Sequence, residues 1–117
     1  MDIASVQAAL KELTLDMVNG KRNRQETVEE LYKRVQPDEI YKLDESVPER
    51  DFIIDVTVSL EHLTEEGFAP SMAEIRYFAE CFEGKRVFSR EEVRRFPIGA
   101  YEKQQPRKKR EEGENSQ

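Results

Sequence analysis

An aspartate, a serine and a histidine lie close together in the sequence, at Asp55, Ser59 and His62. These residue types can serve as orienting acid, nucleophile and general base. On a helix, positions i, i+4 and i+7 fall on one face, so the three side chains would be stacked neighbours. Stacking spreads Asp55 and His62 about 10 Å apart along the helix axis and brings no oxyanion donors nearby. We therefore interpret the three as the solvent face of a helix and predict no catalytic residues.

His62 and Glu65 are three residues apart, a spacing that places two metal ligands on one helical face. Helical di-metal sites use at least two histidines, and this chain has one. A single cysteine cannot close a cysteine-based zinc site. A calcium loop counted from Asp38 fails as well, because Ile40 and Lys42 occupy the third and fifth ligand positions. Phosphate-binding glycine loops and dinucleotide fingerprints do not occur in the sequence. It therefore predicts neither a metal site nor a cofactor.

Acidic residues concentrate in one segment. Between Asp38 and Glu66 there are ten carboxylates and two basic residues, a net charge of −8, whereas the whole chain carries −6. Such a surface repels phosphate backbones and attracts basic partners. Affinity also needs an aromatic or apolar anchor, and Tyr41, Phe68 and Tyr101 are the candidates. The predicted partner-binding residues are Asp38, Glu39, Tyr41, Asp44, Glu45, Glu49, Phe68 and Tyr101.

These features favour a small, non-catalytic binding or regulatory protein, of the immunity or anti-factor kind, that presents an acidic helical surface to a basic protein partner. The alternative is a nucleic-acid-associated helix–turn–helix protein that uses Lys21, Arg22 and Arg24, or the basic tail. We favour nucleic acid less as a partner, because three glutamates follow the basic run at residues 107–110 and offset its charge. The sequence leaves the oligomeric state open, a homodimer included.

The start of the chain lacks the basic region and the unbroken apolar stretch of a signal peptide. No stretch approaches the roughly 18 consecutive apolar residues that a membrane span needs. We expect no membrane partner and, by default, a cytoplasmic setting.

Spacing and end signals mark the helices that would position these residues. Gly20 would end the first helix with a left-handed cap, and Pro37 would end the second. The apolar face of the first helix consists of Ile3, Val6, Leu10, Leu13 and Met17, and that of the second of Val28, Leu31, Tyr32 and Val35. After Pro37, a further helical turn with Ile40, Tyr41 and Leu43 would pack under the domain.

Three capping boxes, each a polar cap followed three residues later by glutamate, start at Asn23, Ser71 and Ser89. Pro97 would stop the helix that begins at Ser89. Because these signals agree with the apolar spacing, they predict where the helices begin.

Residues 51–66 fit two interpretations. Ile54, Val56, Val58 and Leu60 alternate as in a strand, and β-branched residues are frequent. As a helix, the same stretch places Phe52, Ile53, Val56, Leu60 and Leu63 on one face and continues to Gly67. We favour the helix, because no second strand-like run exists to pair with a lone strand.

The predicted fold is an all-α bundle of about five helices, at residues 2–19, 23–36, 50–66, 71–83 and 89–96. No apolar residue follows Tyr101, so the helical domain is predicted to cover residues 1–102. Residues 103–117 are charged and contain nothing to bury, and we expect them to form a disordered tail.

Overall fold

The structure, a computed structural model, describes residues 2–99. This part of the chain forms six helices and no β-strand, which confirms the predicted all-α fold. The helices are α1 (Ile3–Val18), α2 (Arg24–Arg34), α3 (Pro37–Ile40), α4 (Arg50–Glu61), α5 (Met72–Phe82) and α6 (Arg90–Val93). Tyr101 and the predicted tail at residues 103–117 lie outside the described residues. None of the helices within residues 2–99 has the length and apolar character needed to cross a membrane.

Helices α1 and α4 lie at the centre of the bundle. Helix α1 packs against α2, α4 and α5, and α4 also contacts α2, α3 and α6. Their facing sides form one hydrophobic core. Its fully buried members include Leu10, Leu13, Leu31, Ile40, Ile53, Val56, Leu60, Leu63, Ile75 and Phe78. The predicted apolar face of α1 therefore lies in the core, with Ile3 at its edge.

Helix α1 ends in the left-handed cap predicted at Gly20, whose φ is 76°. The amide of Lys21 donates to the Asp16 carbonyl at 2.7 Å, and that of Gly20 to the Met17 carbonyl at 3.1 Å. These two bonds satisfy carbonyls that the end of the helix would otherwise leave open. Gly84, with a φ of 77°, follows α5 in the same conformation.

The three predicted capping boxes begin their helices, but only that of α2 is complete. The Asn23 side chain accepts from the Glu26 amide at 2.8 Å, and the Glu26 carboxylate accepts from the Asn23 amide at 2.9 Å. Ser71 and Ser89 cap α5 and α6 with their hydroxyls. The Glu74 carboxylate, however, points towards α4 and accepts a hydrogen bond there. The capping pattern therefore predicts the helix start correctly but not the partner of this side chain.

Residues 50–61 are helical as predicted, but α4 ends at Glu61 rather than at residue 66. The amide of Leu63 then donates to the Leu60 carbonyl, three residues back, so the chain tightens into a turn. The Leu63 carbonyl accepts from the Arg24 guanidinium at 3.1 Å. A carbonyl that binds a guanidinium no longer needs an amide four residues later. A contact with α2 thus replaces the last predicted turn before Gly67.

The two shortest helices also differ from prediction. Pro37 stops α2, as expected, and is itself the first residue of α3. Ile40 of α3 is fully buried, which confirms the predicted helical turn under the domain. Helix α6 ends at Val93, and Phe96 donates its amide to the Val93 carbonyl in a tighter turn rather than continuing the helix.

The segment after α6 is tied back onto the loop between α4 and α5. Pro70 and Ile98 form an isolated antiparallel bridge, and the Gly99 amide donates to the Ala69 carbonyl at 2.9 Å. The Phe96 ring lies 5.6 Å from the Tyr77 ring on α5. These contacts close one side of a groove between α4 and α5.

Candidate functional site

Two tyrosines from different elements bind one carboxylate. Tyr32 lies on α2 and Tyr41 directly follows α3, and both hydroxyls donate to Glu61 at the end of α4. The Tyr32 oxygen is 2.7 Å from the carboxylate. The rings nevertheless stay open to solvent, because Tyr32 is 55% exposed and Tyr41 is 36% exposed. Glu61 therefore holds two aromatic rings in fixed positions at the surface.

Negative charge surrounds this pair of rings. The hydrogen bond to Glu61 raises the pKa of Tyr32 to about 12, and burial and the charges of Glu61, Glu65 and Asp38 add to the shift. Burial, followed by the hydrogen bond to Glu61, raises the pKa of Tyr41. Both phenols thus remain protonated donors at neutral pH. We call Tyr32, Asp38, Tyr41, Glu61 and Glu65 the acidic–tyrosine surface.

Tyr32 is a residue that the sequence assigned wrongly. Its place in the predicted apolar face of α2 puts it in the core, whereas the buried positions of this helix are Arg24, Thr27 and Leu31, with Val35 at its end. These positions are three or four residues apart and form a regular helical face. An arginine and a threonine occupy half of that face, so apolar residue type alone does not reveal it.

The predicted partner-binding residues fall into two groups. Asp38 and Tyr41 belong to the acidic–tyrosine surface, and Glu39 is exposed beside Asp38 on α3. Asp44, Glu45 and Glu49 are exposed in the loop between α3 and α4. Asp44 is engaged locally, since it accepts from the amide and the hydroxyl of Ser46. Tyr101 lies outside the described residues.

Phe68, the other predicted anchor, adjoins the acidic–tyrosine surface. It is 61% exposed, and its ring centroid lies 6.3 Å from that of His62. Nε2 of His62 is in turn 4.0 Å from a carboxylate oxygen of Glu65. His62 and Glu65 therefore connect the exposed phenylalanine with the charged region around the tyrosines.

The basic residues of the nucleic-acid interpretation are largely engaged inside the domain. Arg24 is buried and donates to a backbone carbonyl after α4. Arg22 lies within 4 Å of Glu12 and Asp16, at 3.6 and 3.7 Å, whereas Lys21 is exposed. Paired arginines present less positive potential to a phosphate backbone than free ones.

Asp55, Ser59 and His62 share one face of α4, as predicted, but each binds a group outside the trio. The Asp55 carboxylate accepts hydrogen bonds from Nε and Nη2 of the Arg90 guanidinium, on α6, at 2.9 to 3.1 Å. Nδ1 of His62 lies 2.7 Å from the Val58 carbonyl. None of the side-chain hydrogen bonds within residues 2–99 joins Asp55, Ser59 and His62 to one another. The geometry does not assemble a catalytic triad from them.

The interpretation of this face as solvent-exposed is wrong for Ser59. Ser59 is buried, and its hydroxyl donates to the Glu74 carboxylate of α5. Glu74 is only 4% exposed, although it is ionisable. Burial raises the pKa of Glu74 and the charge of Asp55 adds to the shift, whereas the hydrogen bond from Ser59 acts against it.

Glu74 and Ser59 lie in a groove of about 480 Å³ between α4, α5 and the segment after α6. We call it the Glu74 groove. His62 lines it beside them, and Phe68, Phe96 and Ile98 supply apolar walls. This combination of an apolar lining with a few polar groups and a perturbed carboxylate is typical of ligand-binding sites.

A larger groove of about 780 Å³ lies at the other end of α4 and is lined by Cys81 and several arginines. The arginines are already paired: Arg50 with Asp51 at 3.0 Å and Arg86 with Glu80 at 2.9 Å. Burial raises the pKa of the Cys81 thiol, which disfavours the reactive thiolate. This groove is the larger of the two, but its arginines are already paired.

Within residues 2–99, no group of three or more histidine, cysteine, aspartate or glutamate side chains is arranged to hold a metal ion. The features that could recognise another molecule are thus the acidic–tyrosine surface and the neighbouring Glu74 groove. Comparison of the chain with protein-family models, curated proteins and solved structures finds no match.

Proposed function

We propose that this is a non-catalytic binding protein whose acidic–tyrosine surface holds a basic protein partner. The observation that carries the proposal is the pair of exposed rings, Tyr32 and Tyr41, fixed by the single carboxylate of Glu61. Aromatic residues in such positions are frequent centres of protein–protein interfaces. The acidic segment around them supplies the opposite charge to a basic partner.

The rings are suited to act as anchors because they are already ordered. A side chain that is immobilised only on binding loses conformational entropy worth about 0.5–1.5 kcal/mol. Tyr32 and Tyr41 avoid part of that loss, since Glu61 holds both hydroxyls before any partner arrives. Their exposed faces can also receive a lysine or arginine side chain through cation–π contact, which is worth about 0.5–1 kcal/mol at an exposed site.

The exposed carboxylates around the rings would act mainly on the rate of association. Asp38, Glu39, Glu65 and Glu66 are all exposed. Long-range attraction of this kind accelerates encounter with a basic partner and weakens as salt shortens the screening length. The proposal therefore expects association that slows steeply as ionic strength rises.

The test is affinity capture from host lysate with the full chain as bait. We expect wild type to retain a basic protein at low salt. Replacing both tyrosines with alanine removes the anchors, and Asp38→Lys with Glu65→Lys reverses two of the surrounding charges. Each pair of substitutions should abolish capture. With the captured protein purified, loss of both rings should weaken the dissociation constant by about 10-fold or more.

A matched control carries the same charge change elsewhere. Helices α4 and α5 run antiparallel, since Phe52 contacts Phe82 at one end and Ser59 binds Glu74 at the other. Glu83, at the end of α5, is therefore far from the end of α4, where the acidic–tyrosine surface lies. Glu83→Lys with Glu91→Lys should leave capture intact. Retention of the same protein by the tyrosine variant, or by the Asp38 and Glu65 variant, contradicts the proposal.

A further inference from the structure

The Glu74 groove contains a buried carboxylate without a cation. Among the described residues no ion pair involves Glu74, and the negative charge of Asp55 adds to the rise in its pKa. Its hydrogen-bond donor is the neutral hydroxyl of Ser59. A buried carboxylate in proteins is normally paired with a positive group, because its desolvation is otherwise uncompensated. A positive group on a ligand would compensate for the desolvation of Glu74.

The groove's own arginines do not fill that position. Arg90 holds Asp55 with a bidentate set of hydrogen bonds, so the charges of this pair offset each other. Arg94 lines the groove but is exposed. None of the ion pairs within residues 2–99 joins Arg94 to Glu74. Glu74 therefore lies in the groove without a cationic partner, although Arg90 and Arg94 are both among the lining residues.

The apolar part of the groove is unusually open to solvent. Phe68 and Ile98 rank among the most exposed large hydrophobic residues of the described chain, and Val58, also exposed, lines the same groove. Water-exposed apolar side chains collected around one concavity are typical of a binding site rather than of an inert surface. The volume of about 480 Å³ lies within the range of sites for small molecules.

We propose that the Glu74 groove binds a small organic amine, with its ammonium group on Glu74 and its apolar body against Phe68, Phe96 and Ile98. An ammonium group has three donors and no acceptor, so it complements a carboxylate that already uses the Ser59 hydroxyl. Burying the body of the amine would cover apolar surface that now faces water. This inference does not depend on the proposed protein partner.

The test uses three ligands of one shape and different charge. The probes are phenethylamine as the cation, 2-phenylethanol as its neutral analogue and 3-phenylpropionate as an anion. Each is titrated into the full ¹⁵N-labelled chain at neutral pH. We expect phenethylamine to give saturable shifts at the amides of Ser59, His62 and Glu74. It should bind about 10-fold or more tightly than the alcohol, since hydrogen bonds to charged groups are the stronger ones.

A matched pair of variants assigns the preference to one carboxylate. Glu74→Gln keeps the shape and should abolish the preference for the amine, whereas Glu91→Gln, at an exposed position of α6, should keep it. The ligand comparison in wild type needs no variant, so it stands even if Glu74→Gln fails to fold. Equal binding of amine and alcohol, tighter binding of the anion, or absence of saturable shifts overturns the proposal. Tighter binding of Nα-acetyl-lysine methylamide than of phenethylamine also overturns it, because the groove would then suit a protein side chain.

Discussion

The position of Glu74 in its helix makes its burial tolerable. It lies in the first turn of α5, where the aligned peptide dipoles favour a negative charge. The Ser59 hydroxyl provides one direct hydrogen bond from α4. Burial acts in the opposite direction and is the larger influence, so the pKa of Glu74 is raised. At the scale of single residues, we expect the protonation of this carboxyl to change the free energy of unfolding.

We expect the stability difference between Glu74→Gln and wild type to depend on pH. When a carboxyl has a higher pKa in the folded state, the folded protein binds more protons between the two pKa values, and stability falls as pH rises through that range. This loss of stability is absent well below a pH of about 4.5, the pKa of the carboxyl in the unfolded chain. Glutamine cannot ionise. The free energy of unfolding of Glu74→Gln minus that of wild type should therefore be smallest at pH 4 and grow to a plateau at higher pH.

Urea unfolding of both proteins at pH 4 to 8 measures this difference, and other titrating groups cancel in it. Glu91→Gln changes an exposed carboxyl and should give a nearly constant difference. An advantage of Glu74→Gln that shrinks with rising pH would show that the folded state favours the ionised form.

At the scale of elements, local signals predict where helices begin, and tertiary contacts decide where some of them end. The cap residues Asn23, Ser71 and Ser89 are visible in the sequence because a cap acts within one turn of chain. The end of α4 is not visible, since it depends on Arg24, which lies 39 positions before Leu63. No periodicity near residue 63 contains that information.

Glu49, the residue that caps the start of α4, offers a prediction about backbone strain. Glu49 has a φ of 60° and no capping hydrogen bond from its side chain. A left-handed conformation costs a non-glycine residue about 1–2 kcal/mol, of which glycine's greater freedom in the unfolded chain offsets about half. We expect Glu49→Gly to raise the free energy of unfolding by about 0.5–1 kcal/mol. The substitution also removes the exposed hydrogen bond that Gln7 donates to the Glu49 carboxylate at 3.3 Å, and this loss offsets little of the gain in stability.

Glu45→Gly is the matched control for that measurement by urea denaturation. Glu45 is also an exposed glutamate of the loop between α3 and α4, but its φ is not positive. Glycine there only adds freedom to the unfolded chain and should lower stability by about 0.5–1 kcal/mol. Equal destabilisation by the two substitutions would contradict the strained start of α4.

At the scale of the whole molecule, the fold was predictable and the candidate site was only partly so. The apolar spacing of α1 and the absence of a partner strand for residues 51–60 suffice for an all-α bundle. The acidic–tyrosine surface instead joins Tyr32 and Tyr41 to Glu61, 29 and 20 positions away. Which exposed side chains meet is decided by the packing angles of helices, which sequence spacing does not encode. Tyr41 was predicted from its acidic neighbours, whereas Tyr32 and Glu74 required the structure.

The same packing predicts how much stability is lost when each of two apolar residues is replaced by alanine. Leu13 lies fully buried in the core between the central helices, whereas Val87, in the loop after α5, is 88% exposed. We expect Leu13→Ala to lower the free energy of unfolding by about 2–5 kcal/mol, a large share of the roughly 5–15 kcal/mol typical of such a domain. Val87→Ala should change it by less than about 0.5 kcal/mol. Thermal unfolding followed by circular dichroism separates the two, since 2 kcal/mol shifts the midpoint by about 8 °C or more in a domain of this size.

A comparable loss from Val87→Ala would contradict its exposure and indicate that a second copy covers it in solution. Dilution of wild type would then lower its melting temperature, and a midpoint independent of concentration supports the bundle as described.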